Sequence, residues 1–400
     1  TGLPQVSGSV SMTNNLSLAT QYFPNFIEPT IMGILMEQGV IPQQEIPEPD
    51  DIQVQFGRKF TAGAGIEVSQ LVFSGPYIVG LQASKVYKKL SVESLEKTEL
   101  ETKAAVAETY FLVLMAGYNR DIIAENLETV QQTLAESEEM QQQGFLDITS
   151  VDQIRIQASS LQVNLESTKR QYFALLDMLK MQMGLGINKE IVLKDSLSGL
   201  LGQMALAEEV ATRFDVEQTI DYKMAQTQVE LNELDHKRQR YNNLPTLSAF
   251  YSYQQNAQRD EFNFFDSDQD WFESSMIGLQ LSIPIFSSGQ RYSKMQQAEL
   301  SVEKARNNRE LARQNLELQL KRSQNNYLTA LGNYQTQKTN RETAQRVYQQ
   351  TRTKFAEGVA GSSELLQANS QYLQVQSGYV GAAVELLNAK IALQKLMNEL

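Results

Sequence analysis

The stretch QRYSKMQQAELSVEKARNNRELARQNLELQLKRSQNNYLTALGNYQTQKTNRETAQRVYQQTRTKFAE, residues 290–357, lies between Gly289 and Gly358 and contains no proline and one glycine, Gly332. Read as a single α-helix it would run roughly 100 Å at about 1.5 Å per residue. That is far beyond an ordinary globular helix. The stretch has a twin, because Gly75 and Gly144 enclose another 68 residues, 76–143, and an offset of 214 maps one onto the other. Asn126, Glu128, Thr129 and Gln131 then fall on Asn340, Glu342, Thr343 and Gln345, while Glu96 falls on Glu310, Leu114 on Leu328, Ala116 on Ala330 and Asn119 on Asn333. A repeat that keeps register without a gap over this length sets the architecture.

Composition narrows what the twins can belong to. Five of the nine prolines (Pro24, Pro29, Pro42, Pro47, Pro49) sit in one early segment, and none lies between Pro76 and Pro245 or after Pro284. Long continuous helices are therefore permitted. A net charge of −12 without clustered Lys and Arg argues against nucleic acid as a partner. The absence of cysteine excludes disulfides and thiolate chemistry. The longest apolar block, Tyr110 to Ala116, is too short for a transmembrane helix. A membrane β-barrel stays open, since its signal is only alternation over about ten residues per strand.

Strand alternation is present twice. Val6, Gly8, Val10 and Met12 alternate with Gln5, Ser7, Ser9 and Ser11, and Phe60, Ala62, Ala64, Ile66 and Val68 alternate with Thr61, Gly63, Gly65, Glu67 and Ser69. Residues 3–74 thus read as a first β-hairpin whose connection, about 13–51, is long, proline-rich and carries the apolar run Ile31 to Met36. Residues 76–185 read as the first long helix, a tip turn at Gly144 and a shorter helix with a seam at 151, 154, 158, 161, 165, 168, 172, 175 and 179. Residues 186–206 form an irregular insert, with a short strand expected at Glu190 to Lys194, and 207–242 a further helix. The second hairpin, 244–287, alternates Leu247, Ala249, Tyr251 and Tyr253, then Ile277, Leu279, Leu281, Ile283 and Ile285, around an acidic, aromatic loop at 255–274. Its offset from the first is 213, so one residue is gained at Ser287-Ser288. Residues 290–400 hold the second long helix, its tip, and a shorter helix with an unbroken apolar seam at 365, 368, 372, 375, 379, 382, 386, 389, 393 and 396.

Four strands cannot close a barrel alone, and open edges are tolerated by neither water nor lipid. Oligomerisation follows, with an aliphatic strand face toward lipid and a Ser, Gln, Thr and Gly face toward water. The order of these elements, the paired starts Leu3-Pro4 and Leu244-Pro245, the strand end Ile283-Pro284-Ile285-Phe286-Ser287-Ser288-Gly289 and the tip sequence Phe355 to Ala368 resemble the TolC family of outer-membrane efflux and secretion channels. The resemblance spans essentially the whole chain and implies an α+β membrane protein: a homotrimer with a twelve-stranded β-barrel in outer-membrane lipid, four strands per chain, continuous with an α-helical coiled-coil barrel in the periplasm. It also implies a periplasmic adaptor protein and an inner-membrane transporter as partners, and an exit duct for efflux or type I secretion that is passive and opened by them. A helix precedes the second hairpin and none precedes the first, so about 40 or more residues are expected upstream of Thr1. The alternative, a structural coiled-coil rod without transport, has no use for two hairpins with sorted faces.

The family narrows its tip with acids at the start of the last helix; the matching positions are Glu364, which keeps the acid, and Gln367, which does not. The family's inter-chain acid–Arg lock falls on Ser150 and Ala360 and cannot be carried over, which leaves Asp147 and Asp152 as the nearby acids. The tip turns Gly144-Phe145-Leu146 and Gly358-Val359-Ala360 are the expected adaptor contacts, against the alternative of buried caps at the helix ends. Asp266-x-Asp268-x-Asp270 lacks the glycine and glutamate of a calcium loop, Trp271 and Ile277 standing there instead. Phe264, Phe265, Trp271 and Phe272 fit a membrane–water boundary. His236, the single histidine, has no second ligand nearby, and no catalytic constellation, cofactor motif or metal site is legible, so no enzyme activity is expected.

Overall fold

The computed structural model describes residues 2–42, 45, 50–202, 214–266 and 270–399. The chain divides into two compact units, Thr1–Ala83 with Leu234–Ala298, and Ser84–Glu233 with Glu299–Leu400.

The first unit is built on a four-stranded antiparallel sheet. Its strands are β1 (Gln5–Asn14), β4 (Phe60–Ser74), β5 (Thr246–Arg259) and β6 (Phe272–Ser282), in the order β1-β4-β5-β6. The period-2 pattern is kept across the whole width of the sheet. Val6 pairs with Val68, Val68 with Tyr251 and Tyr251 with Ile277, which puts one apolar row on one face. Ser9, Gly65, Gln254 and Ser274 form the corresponding polar row on the other. The outer edges of β1 and β6 carry no partner strand among the described residues. Between Leu71 and Phe73 the ladder slips by one residue at Val72, a bulge that re-aims the end of β4.

Two connections differ from the sequence expectation. The connection between β1 and β4, expected as a loop over about 13–51, contains a second, two-stranded sheet, β2 (Thr20–Pro24) with β3 (Asp51–Gln55), and a helix, α1 (Ile27–Glu37). The loop expected at 255–274 is shorter, because pairing continues to Asn256 opposite Phe272: backbone ladder bonds extend strands through polar sequence that has no local strand preference. The residue gained in the second hairpin is taken up by two consecutive left-handed residues, Ser288 (φ 47°) and Gly289 (φ 79°). The twin glycine Gly75 instead opens its helix, and a Cβ there would lie 2.8 Å from Leu244 and 3.0 Å from the Tyr241 carbonyl. The same residue type is thus demanded once by backbone conformation and once by close approach.

The helices are α2 (Gly75–Gln142), α3 (Ile148–Gln182), the short α4 (Leu197–Gly202), α5 (Ile220–Tyr241), α6 (Gln290–Ala356) and α7 (Ser362–Leu396). The twin stretches are single uninterrupted helices of 68 and 67 residues. In the second unit the seam of α3 is buried at Val151, Ile154, Ala158, Leu161 and Leu165, and the seam of α7 at Leu365, Ala368, Tyr379, Ala382, Leu386, Leu393 and Leu396. Burying each Leu or Ile contributes about 1.5–3 kcal/mol. α7 buries a second stripe as well, Asn369, Gln376, Val380, Ala383, Leu387 and Ile391, so it is covered on two sides.

The strand expected at Glu190 to Lys194 is absent. Ile191 and Leu193 do alternate inward, onto the cluster of Val113, Leu176 and Leu179, while Val192 is exposed. This extended segment lies on helices and has no neighbouring strand to supply a ladder. In the segment 207–242, residues 207–213 lie outside the described residues. The described helix starts only at Ile220, after a 3-10 turn, Val216–Gln218, capped by Asp215. Extended backbone at Thr219 (φ −67°, ψ 144°) separates the two.

Candidate functional site

Two helix-to-helix turns carry the residues singled out by sequence. At the first, α2 ends in a left-handed glycine, Gly144 (φ 80°), with the Gly144 N–H donating to the Gln141 carbonyl (3.0 Å) and the Phe145 N–H to the Met140 carbonyl (2.9 Å). At the second, Gly358 (φ 73°) repeats the motif: its N–H donates to the Phe355 carbonyl (3.0 Å) and the Val359 N–H to the Lys354 carbonyl (2.8 Å). Both are Schellman closures, which ordinarily fold the residue after the glycine back onto the helix. Here that residue stays outside, with Phe145 76% and Val359 73% exposed. Ala360 is buried in one cluster with Phe355 and Leu365, and Leu146 packs against the same cluster.

Beyond the first turn, Asp147 caps α3, accepting from the Ser150 N–H (2.9 Å) and the Ser150 hydroxyl (2.7 Å). These two bonds hold its carboxyl below the ordinary 3.8. Ser362, the first residue of α7, is buried, with its hydroxyl 3.0 Å from the Ser150 hydroxyl and 3.0 Å from Gln153 Oε1. Arg155 bridges Asp152 (2.5 Å) and Glu138 (2.9 Å), which ties α3 back to α2. Ser150, Asp147 and Asp152 are thus all engaged within the chain, the first two in a network that joins the starts of α3 and α7 and Asp152 in the Arg155 bridge to α2.

Glu364 and Gln367 are both exposed, one turn apart on α7. Glu364 has no ion-pair partner among the described residues. The pair lies about 100° around the helix from the buried Leu365 and Ala368 seam.

Sequence reasoning missed the buried polar groups behind that exposed face. Asn126 on α2 and Asn369 on α7 exchange side-chain hydrogen bonds (2.7 and 3.4 Å) with Asn369 only 1% exposed. Tyr348 stacks on Tyr372 with 5.6 Å between centroids and 10° between planes. Arg341 lies 4.9 Å from the ring of Tyr379, which in turn neighbours Tyr334. Burial, reinforced by Tyr379, pushes the Tyr334 phenol up to about 12. The available signal was the repeat itself. Asn126 and Asn340 are twins in sequence, yet Asn340 is exposed, so only the seam position tells that one of them needs a partner.

Among the described residues no group of three or more His, Cys, Asp or Glu is placed to hold a metal, and no helix is long and apolar enough to cross a membrane. Asp268 of the acidic loop lies outside the described residues, and Phe264 is buried on Ala62 and Ala257 while Phe265 and Phe272 are exposed.

Residues 217–399 match the model of the family described as outer membrane efflux protein. The whole chain has the fold of three solved channels. The Campylobacter jejuni CmeC outer membrane channel matches at TM-score 0.67 and 16% identity, over 100% of this chain and 78% of that one. The outer membrane protein VceC from Vibrio cholerae matches at 0.65 and 14%, over 99% and 87%. The open state of the Neisseria gonorrhoeae MtrE outer membrane channel matches at 0.66 and 13%, over 99% and 80%. No curated protein matches the chain in sequence.

Proposed function

We propose that the chain is the outer-membrane exit duct of a tripartite efflux or secretion assembly, a passive channel and not an enzyme. The observation that carries this is the sheet: apolar and polar rows sorted across four strands, with both outer edges unpaired. Three copies pair β1 of one protomer with β6 of the next and close twelve strands into a barrel in outer-membrane lipid. The apolar row of Val6, Val68, Tyr251 and Ile277 faces lipid, and the row of Ser9, Gly65, Gln254 and Ser274 faces water. The helices extend into the periplasm as a coiled-coil barrel. A rod would need neither sorted faces nor free edges.

In this reading Glu364 and Gln367 ring the narrowest part of the lumen, and three copies of Glu364 favour cations. Gly144, Phe145 and Leu146 with Gly358, Val359 and Ala360 form the surface met by a periplasmic adaptor, which links the duct to an inner-membrane transporter. The bare side chains of Phe145 and Val359 support this assignment.

Reconstitution in planar bilayers tests both parts. Discrete single-channel conductance is expected, with Glu364→Gln lowering the preference for cations. A protein that stays soluble without detergent and forms no pores refutes the duct, and an unchanged reversal potential refutes the acidic ring.

A further inference from the structure

The excursion between β1 and β4 has no counterpart in the second hairpin and is not used by the duct. α1 (Phe26-Ile27-Glu28-Pro29-Thr30-Ile31-Met32-Gly33-Ile34-Leu35-Met36-Glu37 with its N-cap) contains no buried residue. Its two sides differ. Pro29, Met32, Gly33 and Met36 are half-covered, whereas Ile27 (49%), Ile31 (52%) and Ile34 (48%), at i, i+4 and i+7, form an exposed aliphatic stripe with Phe26 (68%) at its end. A patch on the order of 400 Å² results, the size that marks an interaction site. The sheet in the same excursion, β2 with β3, has two strands only, which is marginal without something further to pack on.

Charge narrows the occupant. No Lys or Arg occurs in residues 1–57, while α1 carries Glu28 and Glu37, and Asp50 and Asp51 stand just before β3 and at its start. A helix that lies on an anionic lipid surface carries Lys and Arg on its polar face, and this one carries acids. Like apolar stripes need no charge complementarity to meet each other. Geometry favours the same answer. Twelve residues separate Asn14, where β1 ends, from Ile27, where α1 starts, and β1 is an edge strand. Twelve residues reach at most about 40 Å. A twelve-stranded barrel with strands about 4.8 Å apart and tilted about 40° is roughly 24 Å across. Three helices about 10 Å thick, packed in a triangle, fill roughly 22 Å. Each copy is therefore tethered within reach of the other two, at millimolar effective concentration.

We propose that the Ile27, Ile31 and Ile34 stripe of α1 packs against its two counterparts in the same trimer, forming a three-helix cap over the outer mouth of the barrel. This rests on the trimeric reading of the sheet edges. The test uses the absence of native cysteine, so that one introduced thiol is the only one. In detergent-solubilised protein, Ile31→Cys is expected to give at least fivefold more inter-chain cross-link with a short bis-maleimide than Asp51→Cys on β3. Adding Ile34→Lys to Ile31→Cys is expected to reduce that yield at least threefold. Native mass spectrometry of the same samples reports the oligomer. A trimer in which Ile31→Cys and Asp51→Cys cross-link equally overturns the cap and leaves the trimer standing. A monomer overturns both.

Discussion

Removing one member of the Asn126–Asn369 pair should loosen the start of α7, by an amount set by the partner left behind. Both amides are buried and bond each other, at 2.7 Å for the shorter contact, and the Tyr348 hydroxyl also interacts with the Asn126 side chain. Asn369→Leu takes away the acceptor of the Asn126 amide N–H, and leaving that buried donor unsatisfied costs about 1–3 kcal/mol. The double change Asn126→Leu, Asn369→Leu removes both polar groups and should be close to neutral. Backbone hydrogen exchange in peptides covering 362–376 reads the local opening equilibrium. A cost of about 2 kcal/mol corresponds to roughly 30-fold faster exchange, and the double variant should return to within about threefold of the parent. The reasoning is refuted if Asn369→Leu exchanges like the parent, or if the double variant is worse than both single ones.

Phe145→Asp and Val359→Asp change exposed side chains, so thermal stability should shift by no more than about 0.5 kcal/mol, whereas pull-down of the adaptor should be lost; retained adaptor binding with both changes would move the docking surface elsewhere. The Asp147 carboxyl has a lowered pKa when folded, so its cap is fully present above the ordinary 3.8 and is lost as pH falls through the lower folded value. Exchange at 148–152, corrected for intrinsic rates, should be level between about pH 5 and 7 and rise in more acid solution, and Asp147→Asn, which caps without a charge, should abolish that rise.

Much of the fold was legible because its signals are local. The twins, free of proline after Pro76, the seam of α7 and the alternation in β1, β4, β5 and β6 are signals that a residue carries with its near neighbours. The elements that sequence misread are those where a neighbour decides. Ile191, Val192 and Leu193 alternate like a strand but lie on helices, and Gln254 to Asn256 look like loop yet pair with Phe272 to Ser274 across the sheet. The tip residues were located by their glycines, since Gly144 and Gly358 announce a left-handed turn. Their exposure was not legible, because the same motif serves equally for a buried cap.

What the sequence by itself determined is the repeat, the sorting of each strand into two faces, and the positions of the turns. Each of these follows from chain stereochemistry acting over a few residues. Only the tertiary structure decided that Asn126 is buried against Asn369 while its twin Asn340 meets water, that Ser150 joins Ser362, and that Gly75 answers a close approach where Gly289 answers a positive φ. The physical reason is the same in each case. The partner lies some two hundred residues away along the chain, and a side chain's environment is set by what folds against it.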